Sequence, residues 1–254
     1  MPDAPPVVLH CFAHAGAGIS AFHGWQTRLG PGAVPAAHLL PGRDRRRREP
    51  RVTTRRELLA DLLDDFRAPN GPFVLYGHSL GAMVAYTLAR ALHEAGLPTP
   101  ALLAVGACPP PDAPSELADA CRRSPDGLLD LLDRLEVVPE GARPGGLWHR
   151  AVLPVLRDDL TLADSLRRAA LTPVAGGPFT VPLLVVAGEA DPLAPPGTMA
   201  GWERFSAGPV VRRTVAGGDH FFVRGPALPR LLGRACRVVG RTAGAPLAGA
   251  ATAR

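Results

Sequence analysis

Cysteine is scarce in this 254-residue chain and poorly placed for cross-linking. The four cysteines, Cys11, Cys108, Cys121 and Cys236, lie far apart with no Cys-x-x-Cys pair. That spacing suits scattered reduced thiols better than a disulfide frame or a zinc site. No apolar run approaches the roughly 18 residues that a membrane span requires. The first residues, Met-Pro-Asp-Ala-Pro-Pro, lack the basic patch and apolar stretch of a signal peptide. The expectation is a cytoplasmic protein with no membrane partner. No Walker lysine and no metal-ligand cluster are present. Gly16-x-Gly18 lacks a third glycine at the right offset, and no acidic residue closes a following strand, which excludes a dinucleotide fingerprint. Charged residues are also sparse, at 20%.

Apolar residues, at 46%, are enough to bury a substantial interior, and the 29 prolines and 28 glycines imply many loops. This is the composition of a folded enzyme-like domain rather than a disordered chain. The net charge of +5 is concentrated locally: Arg43, Arg45, Arg46, Arg47, Arg48, Arg51, Arg55 and Arg56 crowd one stretch. That run reads as a solvated loop, or as an electrostatic landing site for an acidic partner. It carries no recognition motif and no interleaved aromatics, so nucleic acid is not expected.

Short apolar runs alternate with helical patterns. Val7–Phe12, Ala36–Leu40, Phe73–Tyr76, Ala101–Ala107, Val181–Ala187 and Val210–Val215 read as strands. Arg55–Phe66, Ala82–Glu94 and Pro226–Val239 read as helices. The alternation predicts an α/β fold with a mostly parallel central sheet flanked by helices. Between Cys108 and Pro178 the alternation fails. Gly127–Leu135 and Trp148–Leu171 are helical in spacing and no strand intervenes, so residues 108–178 are expected to form a helical cap, or lid, over the carboxyl edge of the sheet. Residues 1–240 form one expected domain including that cap, and residues 241–254, rich in Ala and Gly, form a frayed tail.

Gly77-His78-Ser79-Leu80-Gly81 stands between a strand and a strong helix. In that context Gly-x-Ser-x-Gly is the nucleophile turn of the α/β-hydrolase fold, with Ser79 exposed above the sheet. A serine hydroxyl needs a base, and the base needs an orienting acid. In this fold they follow in the order Ser, acid, His. Asp191, after the strand at 181–187, is the expected acid, with Glu189 as competitor. His220, in a glycine-flanked loop before the last helix, is the expected base. Asp219 reads as a loop residue. His10, His23, His38, His93 and His149 lack a catalytic context. The oxyanion donors are expected to be the N–H of Leu80 and an N–H of the turn His14–Gly18, with Ala15 chosen to within one residue.

CFAHAGAGISAFHGW, LLPGRDRR, PFVLYGHSLGAMVAYTLARAL, LPVLRDDL, PLLVVAGEADPLAPP and GGDHFF together resemble the type II thioesterases of polyketide and nonribosomal peptide biosynthesis, over about residues 7–225. The resemblance implies hydrolysis of acyl thioesters on the phosphopantetheine arm of acyl or peptidyl carrier proteins, for editing or release. It implies no cofactor bound by the enzyme, since the arm belongs to the partner, and a monomer is expected. Two departures touch the oxyanion turn: Ala13 and Ala17 stand where the family pattern has proline and glycine. Leu80 follows the serine where methionine is common. These bear on substrate range. The alternatives are an esterase, amidase or acyltransferase of the same fold, and a non-catalytic binding module.

Overall fold

Six short runs dominated by Val, Leu and Ala extend side by side and pair in parallel. They are β1 (Val7–Phe12), β2 (Ala33–His38), β3 (Phe73–His78), β4 (Leu102–Gly106), β5 (Leu183–Gly188) and β6 (Val210–Val215), in the order β2-β1-β3-β4-β5-β6. The computed structural model describes residues 6–66, 71–120, 124–134, 146 and 150–244. Cys121, Leu135, Trp148, His149 and residues 245–254 lie outside the described residues. Cys11, Cys108 and Cys236 are buried free thiols.

β3 and β5 are buried at every position, as parallel strands covered on both faces must be. The pleat sends Phe73 and Leu75 to one face and Val74 and Tyr76 to the other. Edge strands differ: β6 exposes Arg212 and Arg213, and β2 contains Pro35. β2 begins three residues before the sequence expectation and stops at His38. Parallel register aligns Val7 with Ala33, and Val7 N–H donates to Gly32 O (3.0 Å), which pulls the strand back to the turn.

One face of the sheet packs on α1 (Trp25–Leu29) and the C-terminal helix, with Trp25, Leu228, Leu232 and Cys236 in its core. The other packs on α2 (Arg55–Asp65) and α3 (Leu80–Glu94), with Leu58, Leu88 and Trp202. Thr54 and Glu57 close a reciprocal capping box at the start of α2. Between β4 and β5 stand α4 (Glu116–Asp119), α5 (Pro125–Arg134) and α6 (Leu153–Ala170). α6 is buried on two sides. Leu162 and Leu166 join the sheet core, while Leu153, Leu156 and Leu160 pack with Leu128, Leu131 and Leu132 of α5. After α7 (Pro196–Met199), the terminal helix α8 (Ala227–Gly244) continues five residues beyond Val239, so the first four residues of the expected tail are helical. Among the described residues, no helix is long and apolar enough to cross a membrane.

Candidate active site

β3 ends at His78 and α3 starts at Leu80, so Ser79 must reverse the chain in one residue. It does so at φ 54° and ψ −119°, a region that non-glycine residues rarely occupy. Such strain costs on the order of 1–3 kcal/mol and persists only when the surroundings impose it. Two glycines impose it here. A Cβ on Gly77 would meet the Gly81 carbonyl, and one on Gly81 would land on the Phe12 carbonyl. Ser79 N–H donates to Gly106 O (2.8 Å), which ties the turn to β4.

The loops after β5 and β6 deliver the other two groups. His220 Nδ1 lies 3.0 Å from both carboxylate oxygens of Asp191, and His220 Nε2 lies 3.2 Å from Ser79 Oγ. With Nδ1–H donated to Asp191, Nε2 is left to accept from the serine hydroxyl. Its side chain is fully shielded, and Oδ1 also accepts from Leu193 N–H (2.9 Å) and Ala194 N–H (3.1 Å). Glu189 is exposed and accepts from Gly217 N–H (2.8 Å). Asp219 is exposed and caps Phe221 N–H (2.8 Å). Of the three carboxylates considered, only Asp191 reaches the imidazole.

Sequence reading passed over His78. It is wholly buried beneath His220, and its Nε2–H donates to the His220 carbonyl oxygen (2.7 Å). Tyr76 O–H donates to its Nδ1 (2.7 Å). Burial, then the nearby His220 and His14, holds its pKa well below the ordinary value, so the ring is neutral, as this bonding needs. Of the remaining histidines, His10 bonds His38 (2.8 Å), and His93 Nε2–H donates to Gly177 O (3.2 Å).

The turn His14–Gly18 faces Ser79, and its amides are unevenly occupied. Ala17 N–H donates to His14 O (3.1 Å), and Gly16 N–H donates to Asp159 Oδ2 (2.7 Å). Ala15 is therefore a better candidate donor than Gly16, and both Ala15 and Leu80 line the cavity above Ser79. Asp159 itself sits on α6 and forms a two-pronged pair with Arg43 (2.9 and 2.6 Å), which also donates to Ala17 O (3.2 Å). One buried ion pair thus joins three segments: LLPGRDRR, LPVLRDDL and the turn after β1.

That pairing also revises the arginine run. Arg43 is buried rather than solvated. Arg46 binds Glu49 and Asp61, Arg51 binds Asp158, and Arg55 binds Glu94. Arg45, Arg47, Arg48 and Arg56 remain exposed.

Two cavities meet at Ser79 and His220. The larger, about 350 Å³, runs beneath α6 past Met83, Leu160 and Ala163. The smaller, about 240 Å³, is walled by His14, Leu132, Val152, Leu156, Phe221 and Arg224. Leu132 thus packs against α6 and borders the site as well. His14 is held neutral, its pKa lowered to about 4 by burial and then by His220 and Arg224. Among the described residues no group of three or more His, Cys, Asp and Glu could hold a metal ion.

Comparison with known proteins agrees with this architecture. The thioesterase domain model matches residues 8–236. A probable cadicidin biosynthesis thioesterase of Streptomyces griseus is 32% identical over 223 residues, 87% of this chain and 59% of that protein. The thioesterase RedJ, from the prodiginine biosynthetic pathway in Streptomyces coelicolor, has a structure that matches with TM-score 0.77 and 33% identity, over 93% of this chain and 91% of that one. The type II thioesterase BorB, from the borrelidin biosynthetic cluster, matches with TM-score 0.74 and 29% identity, over 93% and 94%. With its parallel sheet, its strained serine turn and a family match that runs from β1 into α8, the chain belongs to the thioesterase family and has the α/β-hydrolase fold.

Proposed function

We propose that this protein hydrolyses acyl thioesters carried on the phosphopantetheine arm of acyl or peptidyl carrier proteins, in editing or release during polyketide or nonribosomal peptide biosynthesis. The observation that carries the reading is the placement of His220 between Ser79 Oγ (3.2 Å) and Asp191 (3.0 Å) at the junction of two cavities. His220 takes the hydroxyl proton as Ser79 attacks the thioester carbonyl. The N–H groups of Leu80 and Ala15 receive the oxyanion, a stabilisation of the order of several kcal/mol. The C–S bond breaks, and the thiol leaves with the proton from His220. Water then loses its proton to His220 and attacks the acyl-serine, releasing the acid and restoring Ser79. Asp191 holds the imidazole tautomer throughout.

Two cavities suit a substrate with two arms, an acyl chain on one side of the reacting carbonyl and pantetheine on the other. The pantetheine arm belongs to the partner, so the enzyme binds no cofactor of its own in this scheme. The test is mass spectrometry of a panel of acylated carrier proteins incubated with enzyme. The acyl mass should disappear with the wild type and persist with Ser79→Ala. Turnover by Ser79→Ala, or equal turnover of plain esters, would overturn the reading.

A further inference from the structure

The wall of the larger cavity is apolar along most of α6, which presents Leu160 and Ala163 to it, and then carries Arg167 at the next position of the same face. Asp159, beside Leu160, holds the turn after β1, so α6 runs from the reacting centre toward Arg167. The separation along the axis is roughly 12 Å, at about 1.5 Å per residue.

Arg167 is half-buried and differs from the two buried arginines of the core. Arg43 has Asp159 as its carboxylate, and Arg90 has Glu94. Arg167 has no ion-pair partner among the described residues. One nitrogen, Nη2, donates to Pro111 O (3.2 Å) and to Ala113 O. That anchors the guanidinium and ties the loop after β4 to α6. Its Nε–H is shut away without an acceptor, as is that of Arg43, and Nη1 is the nitrogen left with no acceptor among the described residues. A guanidinium that spends one nitrogen on two carbonyls keeps hydrogen-bonding capacity for a ligand oxygen. Cys108 and Arg167 line the same cavity, at the end away from His220 along α6. Glu116 lines the same cavity, and its carboxylate disfavours an anionic ligand there.

We propose that the larger cavity receives the acyl chain and that Arg167 selects chains bearing a neutral oxygen acceptor, a ketone or hydroxyl, remote from the thioester. The inference rests on the thioesterase reading above. It converts a general acyl site into one that prefers oxygenated chains over plain alkyl chains. The cavity is otherwise apolar enough to accept the hydrocarbon between the two oxygens.

N-Acetylcysteamine thioesters of octanoate and of its 3-oxo, 5-oxo and 7-oxo derivatives provide the test, scored by kcat/KM. At least one oxo chain should exceed octanoate about tenfold or more, the worth of one charge-assisted hydrogen bond. In Arg167→Leu that ratio should collapse to within about twofold, with Tm measured to verify folding. If the variant does not fold, the wild-type series decides alone. Octanoate turned over as well as every oxo chain overturns this inference and leaves the thioesterase reading standing. No turnover of any thioester removes both.

Discussion

Asp191 and Glu189 stand two residues apart on one loop, yet their surroundings divide them. Asp191 is shielded from water and spends its oxygens on His220 and two backbone amides, whereas Glu189 is exposed and spends one on Gly217. Asp191→Asn should lower kcat by about 10³-fold or more, because an amide no longer enforces the required tautomer. Glu189→Gln should stay within about threefold, having removed only the charge of a solvent-side acceptor whose amide oxygen can still take the Gly217 N–H. Steady-state kinetics on one thioester compares the two directly. His78 acts on His220 through its carbonyl, without touching the cavity. His78→Phe keeps the ring and loses the donor, so kcat should fall about 10–100-fold as the imidazole shifts, with KM little changed. His78→Gln, which retains an N–H donor, should recover part of the loss. As candidates, Ser79, Asp191 and His220 could be picked out because each has a local signature and a fixed order along the chain. His78 could not, because its partner lies 142 residues away and nothing near it in sequence announces the bond.

Among the elements, α6 decides most. It closes the larger cavity, and through Asp159 it fixes the turn that carries Ala15. Asp159→Ala would leave Arg43 buried without its partner, a loss of about 3–5 kcal/mol of stability, and would release Gly16 as well. Urea denaturation should show that loss, and kcat should fall with it. The double variant Arg43→Met with Asp159→Leu should recover much of the stability while kcat stays low, since the bond to Gly16 is still missing. Equal recovery of both quantities would show that Asp159 serves stability alone. The sequence pattern placed a helix at Trp148–Leu171, and the structure gives Leu153–Ala170, with apolar rows on two sides of it. Arg43 and Asp159 both fell within motifs singled out for resemblance. Their pairing was not legible, because 116 residues separate them and either one alone reads as a surface charge.

For the molecule as a whole, buried histidines set an acid limit. His10 and His14 are lowered from the usual 6.5 to about 4, first by burial and then by His38 for His10 and by His220 and Arg224 for His14, and His78 is held well below its usual value. Between pH 6.5 and 4 the unfolded chain therefore binds protons that the folded chain refuses. The stability linked to these groups is fully present above pH 6.5 and declines as pH falls toward 4. Thermal denaturation across that range should give a falling Tm, and His14→Asn should flatten the slope. The chain by itself determined the alternation of strands and helices, the serine turn and the candidate acid and base. These follow from local hydrophobic period, glycine placement and chain order, which short windows of sequence record. Only the tertiary structure decided that Arg43 is buried, that Glu189 faces solvent, that His78 props the imidazole and that Arg167 enters the cavity. Each depends on a contact between distant segments, and the burial of a charge is a property of what surrounds it, not of the residue that carries it.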